Sequence, residues 1–270
     1  MKLDYFESSC PSLIEEFYRL SLSSEDLTFK STLMPQGVLH LTYNFGKRQK
    51  AVINDREFQL KGLMLTGQFM HSYQFIADCT GTSLGLSLHP TALHKMTNMD
   101  ISQLENGHHR LKDINKELYE RLNPLFEQYG LDGDMEWLIK KIDSLLKSHG
   151  LTVNKQTKYI DKAIDMIREK EGMLNIEDLL QITNVSQKTL ETQFKKIVGL
   201  TPGKYIRLIR FLHLMKKYES DEISIKDLIY MYDYYDHSHF TKDFKMYMHE
   251  TPRSYFKKDY PLVREILMKT

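Results

Sequence analysis

A chain of 270 residues, 41% hydrophobic and 27% charged, has the make-up of ordinary globular protein and room for two domains with cores of their own. Its formal net charge of +1 gives no overall pull on a polyanion, so any nucleic-acid binding must rest on where the charges lie. No apolar run reaches membrane-spanning length, the first residues hold no signal-peptide core, and the distant Cys10 and Cys79 suggest neither a disulfide framework nor a zinc site. The expected setting is the cytoplasm, without a membrane partner.

Pro11 to Leu20 has a helical look. From Leu33 to Leu88 the pattern is that of strands: Leu39, Leu41, Tyr43 and Phe45 alternate with His40, Thr42 and Asn44, and Leu84, Leu86 and Leu88 alternate with Gly85 and Ser87. Breaks at Pro35-Gln36-Gly37, Asn44-Phe45-Gly46-Lys47, Asn54-Asp55, Lys61-Gly62 and Thr80-Gly81-Thr82 fit turns between short antiparallel strands. Pro90 opens a short helix through Met96. Residues 111 to 128 and 134 to 148 read as two helices around Tyr129-Gly130-Leu131-Asp132-Gly133, with a stripe through Trp137, Leu138, Ile142, Leu145 and Leu146 that must bury against the β-rich domain or a second copy. His149 to Thr157 is polar and reads as a linker.

Beyond it the chain repeats itself. Asn175-Ile176-Glu177-Asp178 returns as Ser224-Ile225-Lys226-Asp227, Ser186 as Asp236, Leu190 as Phe240, Phe194 as Phe244, and Thr201-Pro202-Gly203-Lys204-Tyr205 as Thr251-Pro252-Arg253-Ser254-Tyr255. Each copy predicts two short helices and a turn. Asn175 and Ser224 cap the first helix, with Asp178 and Asp227 three residues on; Asn184 and Asp233 take the turn, and Ser186 and Asp236 cap the second helix. Leu190, Phe194 and Ile197 then face inward in one copy, and Phe240, Phe244 and Tyr247 in the other. Thr201 and Pro202 open a connecting helix to about Tyr218, a rod of about 25 Å, which sets the outward helices on the order of 34 Å apart, one turn of B-DNA. Charge adds little, with roughly 17 basic against roughly 16 acidic side chains over 159 to 259.

These residues resemble the C-terminal DNA-binding domain of the AraC/XylS family of transcription regulators. The match runs through Leu179 to Val185, Ser186, Leu190, Phe194-Lys195, Gly199 to Pro202, Tyr205, Arg210, Ile225 to Leu228, His239-Phe240, Phe244-Lys245, Thr251-Pro252 and Tyr255. The resemblance implies that the start of each second helix reads bases: Lys188, Glu191 and Thr192, then His237, Ser238, Thr241 and Lys242. Ser186, Lys195, Lys245 and Lys257 are the expected phosphate contacts, and positive control is the expected outcome. The family favours glycine where this chain has Asn184, Asp233 and His249, and alanine where it has Ile229; a bulky Ile229 is expected to splay the second unit. Neither outward face carries an arginine, the commonest guanine reader. Tyr230, Tyr232, Tyr234 and Tyr235 read as core and turn aromatics.

Gly85 to Leu93, Asp100 to Leu104, Leu111-Lys112-Asp113 and Met34 to Gly46 look like the N-terminal domain of one subset of AraC-like regulators, which implies a sensor or dimerisation module. No phosphate loop, nucleophile elbow or acid pair marks an enzyme, and His40, His71, His89 and His94 lack ligand spacing, so no catalytic residue, cofactor or metal is expected. The fold class is α+β: a β-rich domain with helical extension over 1–150, a linker at 151–158, a tandem helix-turn-helix domain over 159–260 and a tail at 261–270. Expected partners are double-stranded DNA, RNA polymerase, a small-molecule effector in the N-terminal domain and a second copy. The alternatives are an interaction protein whose degenerate helical domain no longer binds DNA, and an enzyme built on the β-rich half.

Overall fold

The computed structural model describes every residue except Lys47, His149, Asp221, Glu222 and Thr270, with the backbone alone at Leu131 and Asp132. Among the described residues the N-terminal half forms two antiparallel sheets. One, in spatial order, holds β1 (Lys2–Phe6), β2 (Ile14–Leu22), β9 (Gly81–Leu88), β4 (Leu39–Asn44), β7 (Gly62–Thr66) and β10 (His108–Arg110); the other holds β3 (Phe29–Leu33), β8 (Tyr73–Ala77), β5 (Gln49–Ile53) and β6 (Arg56–Gln59). Asn54 and Asp55 join β5 to β6 with φ of 47° and 61°, the left-handed pair of a tight hairpin turn. Of the proposed β4–β5 turn, Lys47 lies outside the described residues.

The alternation in β4 and β9 separates two buried environments rather than core from solvent. Leu39, Leu41, Leu84, Leu86 and Leu88 point outward into a helical layer, while His40, Thr42, Asn44, Ser83 and Ser87 face a cavity of about 100 Å³ between the sheets. Gly85 belongs to the polar row, and the Tyr18 ring lies where its Cβ would stand, 2.1 Å from Cζ. Tyr18 Oη in turn hydrogen-bonds Thr42 Oγ1 at 2.6 Å.

The outer layer comprises α1 (Ala92–Thr97), a 3-10 turn at Ile101–Leu104, α2 (Leu111–Ile114), α3 (Lys116–Asp132) and α4 (Met135–Ser148). Leu118, Leu122 and Phe126 of α3 and Leu138, Ile142 and Leu146 of α4 share one core with the sheet leucines, so the stripe buries against the β-rich domain. The first predicted helix is broken at Asn115, whose side chain caps α3 through Leu118 N at 2.8 Å, and it runs on to Asp132, ended by Gly133 at φ 71°.

Three expectations fail here. Pro11 to Leu20 is not helical: Ile14 onward is β2. A bulge between Ile14 and Glu16 puts Ile14 and Phe17 on the same side, and the opposite side carries Glu16, Tyr18 and Leu20 to the cavity, so three-residue spacing arises without a helix. The linker is shorter than predicted, since Asn154 caps α5 (Lys155–Glu169) and Thr157 returns the bond as a capping box; His149 lies outside the described residues. Residues 261 to 267 are not a tail. Pro261 starts α12 (Pro261–Leu267), which buries Leu262, Val263, Ile266 and Leu267.

The C-terminal half is all α: α5, α6 (Ile176–Thr183), α7 (Gln187–Val198), α8 (Pro202–Ser220), α9 (Ile225–Met231), α10 (His237–Met248), α11 (Pro252–Tyr255) and α12. The two halves are closely joined. Met34 and Met70 of the β-rich half are buried in the C-terminal core, Gly37 abuts Ile209 and Tyr205 of α8, and Ser72 N donates to Tyr247 O at 2.5 Å. Ion pairs cross the seam from Arg168 to Glu15 at 2.6 Å, from Lys95 to Asp161 at 2.9 Å and from Lys204 to Glu105 at 2.9 Å.

Candidate nucleic-acid interface

Each repeat folds as two helices and a turn for local reasons. Asn175 accepts from Asp178 N at 3.0 Å while Asp178 accepts from Asn175 N at 2.9 Å, and Ser224 accepts from Asp227 N at 3.2 Å. Such caps satisfy amides that the first turn leaves unpaired. Asn184, Asp233 and His249 sit at φ of 53°, 53° and 55°, so the residues standing at the family's glycine positions adopt the left-handed geometry that Asn, Asp and His tolerate best. Ser186 caps α7 through Thr189 N at 3.3 Å, and Asp236 caps α10 through His239 N at 2.7 Å. Gly199, at φ 96°, ends α7.

The inward faces are as the pattern predicts. Leu190, Phe194 and Ile197 of α7, and Phe240, Phe244 and Tyr247 of α10, are buried in a core organised by α8. Phe194 packs on Tyr205 at 5.6 Å between centroids, Phe211 meets Phe244 edge-on at 5.6 Å, and Tyr218 at the far end meets Phe256 at 4.4 Å. Ile229 is buried in this core, and both helices of its unit keep their caps. Arg210 Nε donates to Gly172 O at 2.9 Å and ties α8 to the loop before the first unit. Arg207 joins Asp243, a carboxylate otherwise buried on the inner side of α10.

The outward faces remain open. Lys188, Glu191 and Thr192 are exposed together on α7. On α10, His237, Ser238 and Lys242 are exposed and Thr241 is half-buried. Glu191 is engaged, accepting from Gln187 Nε2 at 2.8 Å. Lys195, Lys245 and Lys257 are exposed and pair with no carboxylate among the described residues, whereas Lys258 is held by Glu250 at 2.8 Å. Ser186 is exposed, its hydroxyl shared between the cap and Thr189 Oγ1 at 2.9 Å. Sequence reasoning missed Gln187, exposed at the first position of α7, although its place directly after the cap is the available signal. Of the four tyrosines read as core and turn aromatics, Tyr232 and Tyr234 are buried and Tyr235 lies in the turn before α10, 89% exposed, whereas Tyr230 sits on α9 and is 62% exposed.

The histidines considered for a metal go separate ways. His40 Nδ1 lies 3.3 Å from Ser87 Oγ, His94 Nδ1 lies 2.6 Å from Met99 O, His71 packs on His249, and His89 meets Thr91. Among the described residues no group of three or more His, Cys, Asp or Glu could hold a metal ion, and no helix is long and apolar enough to cross a membrane.

Two capped helix-turn-helix units, each presenting a polar, lysine-bearing second helix from a common core, define a DNA-binding domain of the helix-turn-helix class. Residues 179–258 match the family model described as "Helix-turn-helix domain", and residues 11–110 match one described as "Domain of unknown function (DUF6597)". The transcriptional activator AarP of Providencia stuartii is 29% identical over 86 residues, covering 32% of this chain and 64% of that protein, so the chain spans less than two thirds of AarP. The probable transcription factor PqrA of Proteus vulgaris is 28% identical over 97 residues, covering 34% of this chain and 80% of that protein. Two solved structures of ToxT from Vibrio cholerae align at 12% identity, one with a TM-score of 0.43 over 95% of this chain and 98% of the other, one with 0.47 over 89% and 95%. The C-terminal domain belongs to the AraC/XylS type.

Proposed function

We propose that the chain is a sequence-specific transcription regulator in which α7 and α10 enter two successive major grooves of duplex DNA. The observation that carries this reading is the pair of capped helices whose apolar sides are sealed into one core while their polar sides stay open. In this reading Lys188, Glu191 and Thr192 meet bases in one groove, and His237, Ser238, Thr241 and Lys242 in the next. Lys195, Lys245 and Lys257, with Ser186 at a helix start, take phosphates. Without arginines on either face, discrimination rests on lysine, short polar groups and DNA shape.

Residues 1–150 act as the sensing unit and 159–260 as the reader. The cavity between the sheets, with a polar end at His40, Thr42 and Ser87, supports a small-molecule effector there. Regulation is positive, through RNA polymerase in the cytoplasm, on DNA bound by one or two copies. Selection of bound sites from a random duplex pool tests the reading. Two conserved blocks centred 10–10.5 base pairs apart are expected, as one turn of B-DNA requires; a pool without enrichment refutes it. A palindromic arrangement of such block pairs reports a homodimer, and a single pair reports a monomer.

A further inference from the structure

One short helix belongs to both halves of the molecule. Leu262 and Ile266 of α12, four residues apart and so on one face, line the cavity between the sheets. Val263 and Leu267, one position on, are buried in the core around α8. Beyond the helix the chain turns back on the six-stranded sheet: Lys269 Nζ lies 2.6 Å from Glu16 Oε1 and 5.5 Å over the Tyr5 ring. That same Glu16 oxygen accepts from Ser87 Oγ at 2.9 Å, so the ion pair is anchored to the polar end of the cavity. On the opposite flank Arg264 Nε faces Glu219 of α8 at 3.4 Å. At its start α12 is held by Tyr260, stacked on Tyr255 at 4.6 Å.

The cavity, at about 100 Å³, is smaller than the roughly 300–1,000 Å³ of common ligand pockets, so a wall must yield before a molecule of that class can enter. Most other walls are strands hydrogen-bonded on both edges. Among the described residues α12 is tied to the sheets by side chains, packing on β3 and flanking β1 across a groove, and both strands are sheet edges. A surface groove runs between α12 and β1, lined by Asp4, Arg19, Arg264, Glu265 and Met268, and it shares Leu3 and Tyr5 with the cavity.

We propose that α12 is a gate, a wall common to the cavity and the DNA-reading core. Lys269 latches it on Glu16, and it swings along the β1 seam to admit a small, largely apolar molecule carrying one hydrogen-bonding group. Because Val263 and Leu267 move with Leu262 and Ile266, opening the cavity repacks α8, and α8 carries both helix-turn-helix units. The inference deepens the sensor-and-reader function proposed above and rests on it.

The test uses the full chain with Cys10→Ser and Cys79→Ser, both native thiols being free, and a single reporter, Thr42→Cys, inside the cavity. Labelling by iodoacetamide, a small neutral reagent, should be slow compared with Ser238→Cys on the exposed face. Adding Lys269→Met should speed it at least tenfold, and a selected duplex should change the rate several-fold. A rate indifferent to Lys269→Met overturns the gate; a rate that responds to Lys269→Met but not to bound duplex overturns the coupling. Failure to shift any duplex sinks the DNA-reading function while leaving the Lys269→Met comparison intact. Should the reporter chain not fold, hydrogen exchange over residues 261–268 decides between wild type and Lys269→Met. At least tenfold faster exchange there, with β4 and β9 unchanged, supports the gate, and unchanged exchange overturns it.

Discussion

Arg207 of α8 donates through Nε to Asp243 of α10 at 3.4 Å, with a closer contact from its second nitrogen, and so pins the second recognition helix to the rod that carries the first. Asp243 is the buried partner and Arg207 is half-exposed, so the two sides are not equivalent. Arg207→Ala leaves a carboxylate under the helix with its charge unanswered, and about 2 kcal/mol of stability should be lost. Chemical denaturation of wild type, Arg207→Ala and the pair Arg207→Ala with Asp243→Asn measures it. The double variant should recover part of the loss; if it does not, the penalty lies in lost packing instead of the stranded charge.

Base reading and phosphate holding separate in their salt dependence. Lys188→Ala should relax sequence preference in the first half-site, and Lys245→Ala should weaken every duplex alike and flatten the slope of log affinity against log salt by about one. Binding titrations at several salt concentrations, with a selected and a scrambled duplex, decide it. Unchanged preference in Lys188→Ala means that α7 meets DNA in a different register.

The inward aromatics set the spacing of the reading heads. Phe194 is fully buried against Tyr205, and Phe194→Ala should cost about 3–5 kcal/mol through lost contact and the void left behind. Urea melts give the value directly. A loss under 1 kcal/mol would mean that the core collapses around the gap.

Acid should destabilise the fold through buried histidines of the β-rich half. Burial, with the charges of Lys269 and His108, pushes His40 from an ordinary 6.5 down to about 3, and burial with His109 nearby pushes His108 down to about 4. Above pH 6.5 the imidazoles are neutral folded or unfolded and add no pH dependence. As pH falls below 6.5 the unfolded chain takes up protons that the folded one refuses, so stability drops until the folded values are reached. Each histidine costs roughly 3 kcal/mol by pH 4. Melting temperatures between pH 7 and pH 4 should fall, and His108→Gln should flatten that fall; equal slopes would show that His108 is not buried neutral.

The helix-turn-helix units were legible because what makes them is local. Caps at Asn175, Ser186, Ser224 and Asp236, and left-handed turns at Asn184 and Asp233, depend on a few neighbouring residues, and the repeat shows each twice. Which polar side chains stay exposed on α7 and α10 follows from the same periodicity. What escaped depends on distant partners. Ile14 and Phe17 mimic a helix because a bulge and two buried sides hide the strand alternation of β2. The polar row of His40, Thr42 and Asn44 was visible, but only the facing sheet makes it the inside of a cavity. The turn of α12 was written in Pro261, Leu262, Val263, Ile266 and Leu267, yet seven residues carry no meaning without the two surfaces they join.

Met34 and Met70 leave the β-rich half and end among the side chains of the helical half. Cutting the chain at the linker would therefore not release a finished reader. It would leave one with two empty sockets and a greasy scar, prone to clump and ill suited to stand in for the intact regulator. Experiments that express only the part of the polypeptide after the linker should expect poor solubility, and loss of DNA affinity in such a fragment would speak about missing methionines before it spoke about the recognition helices.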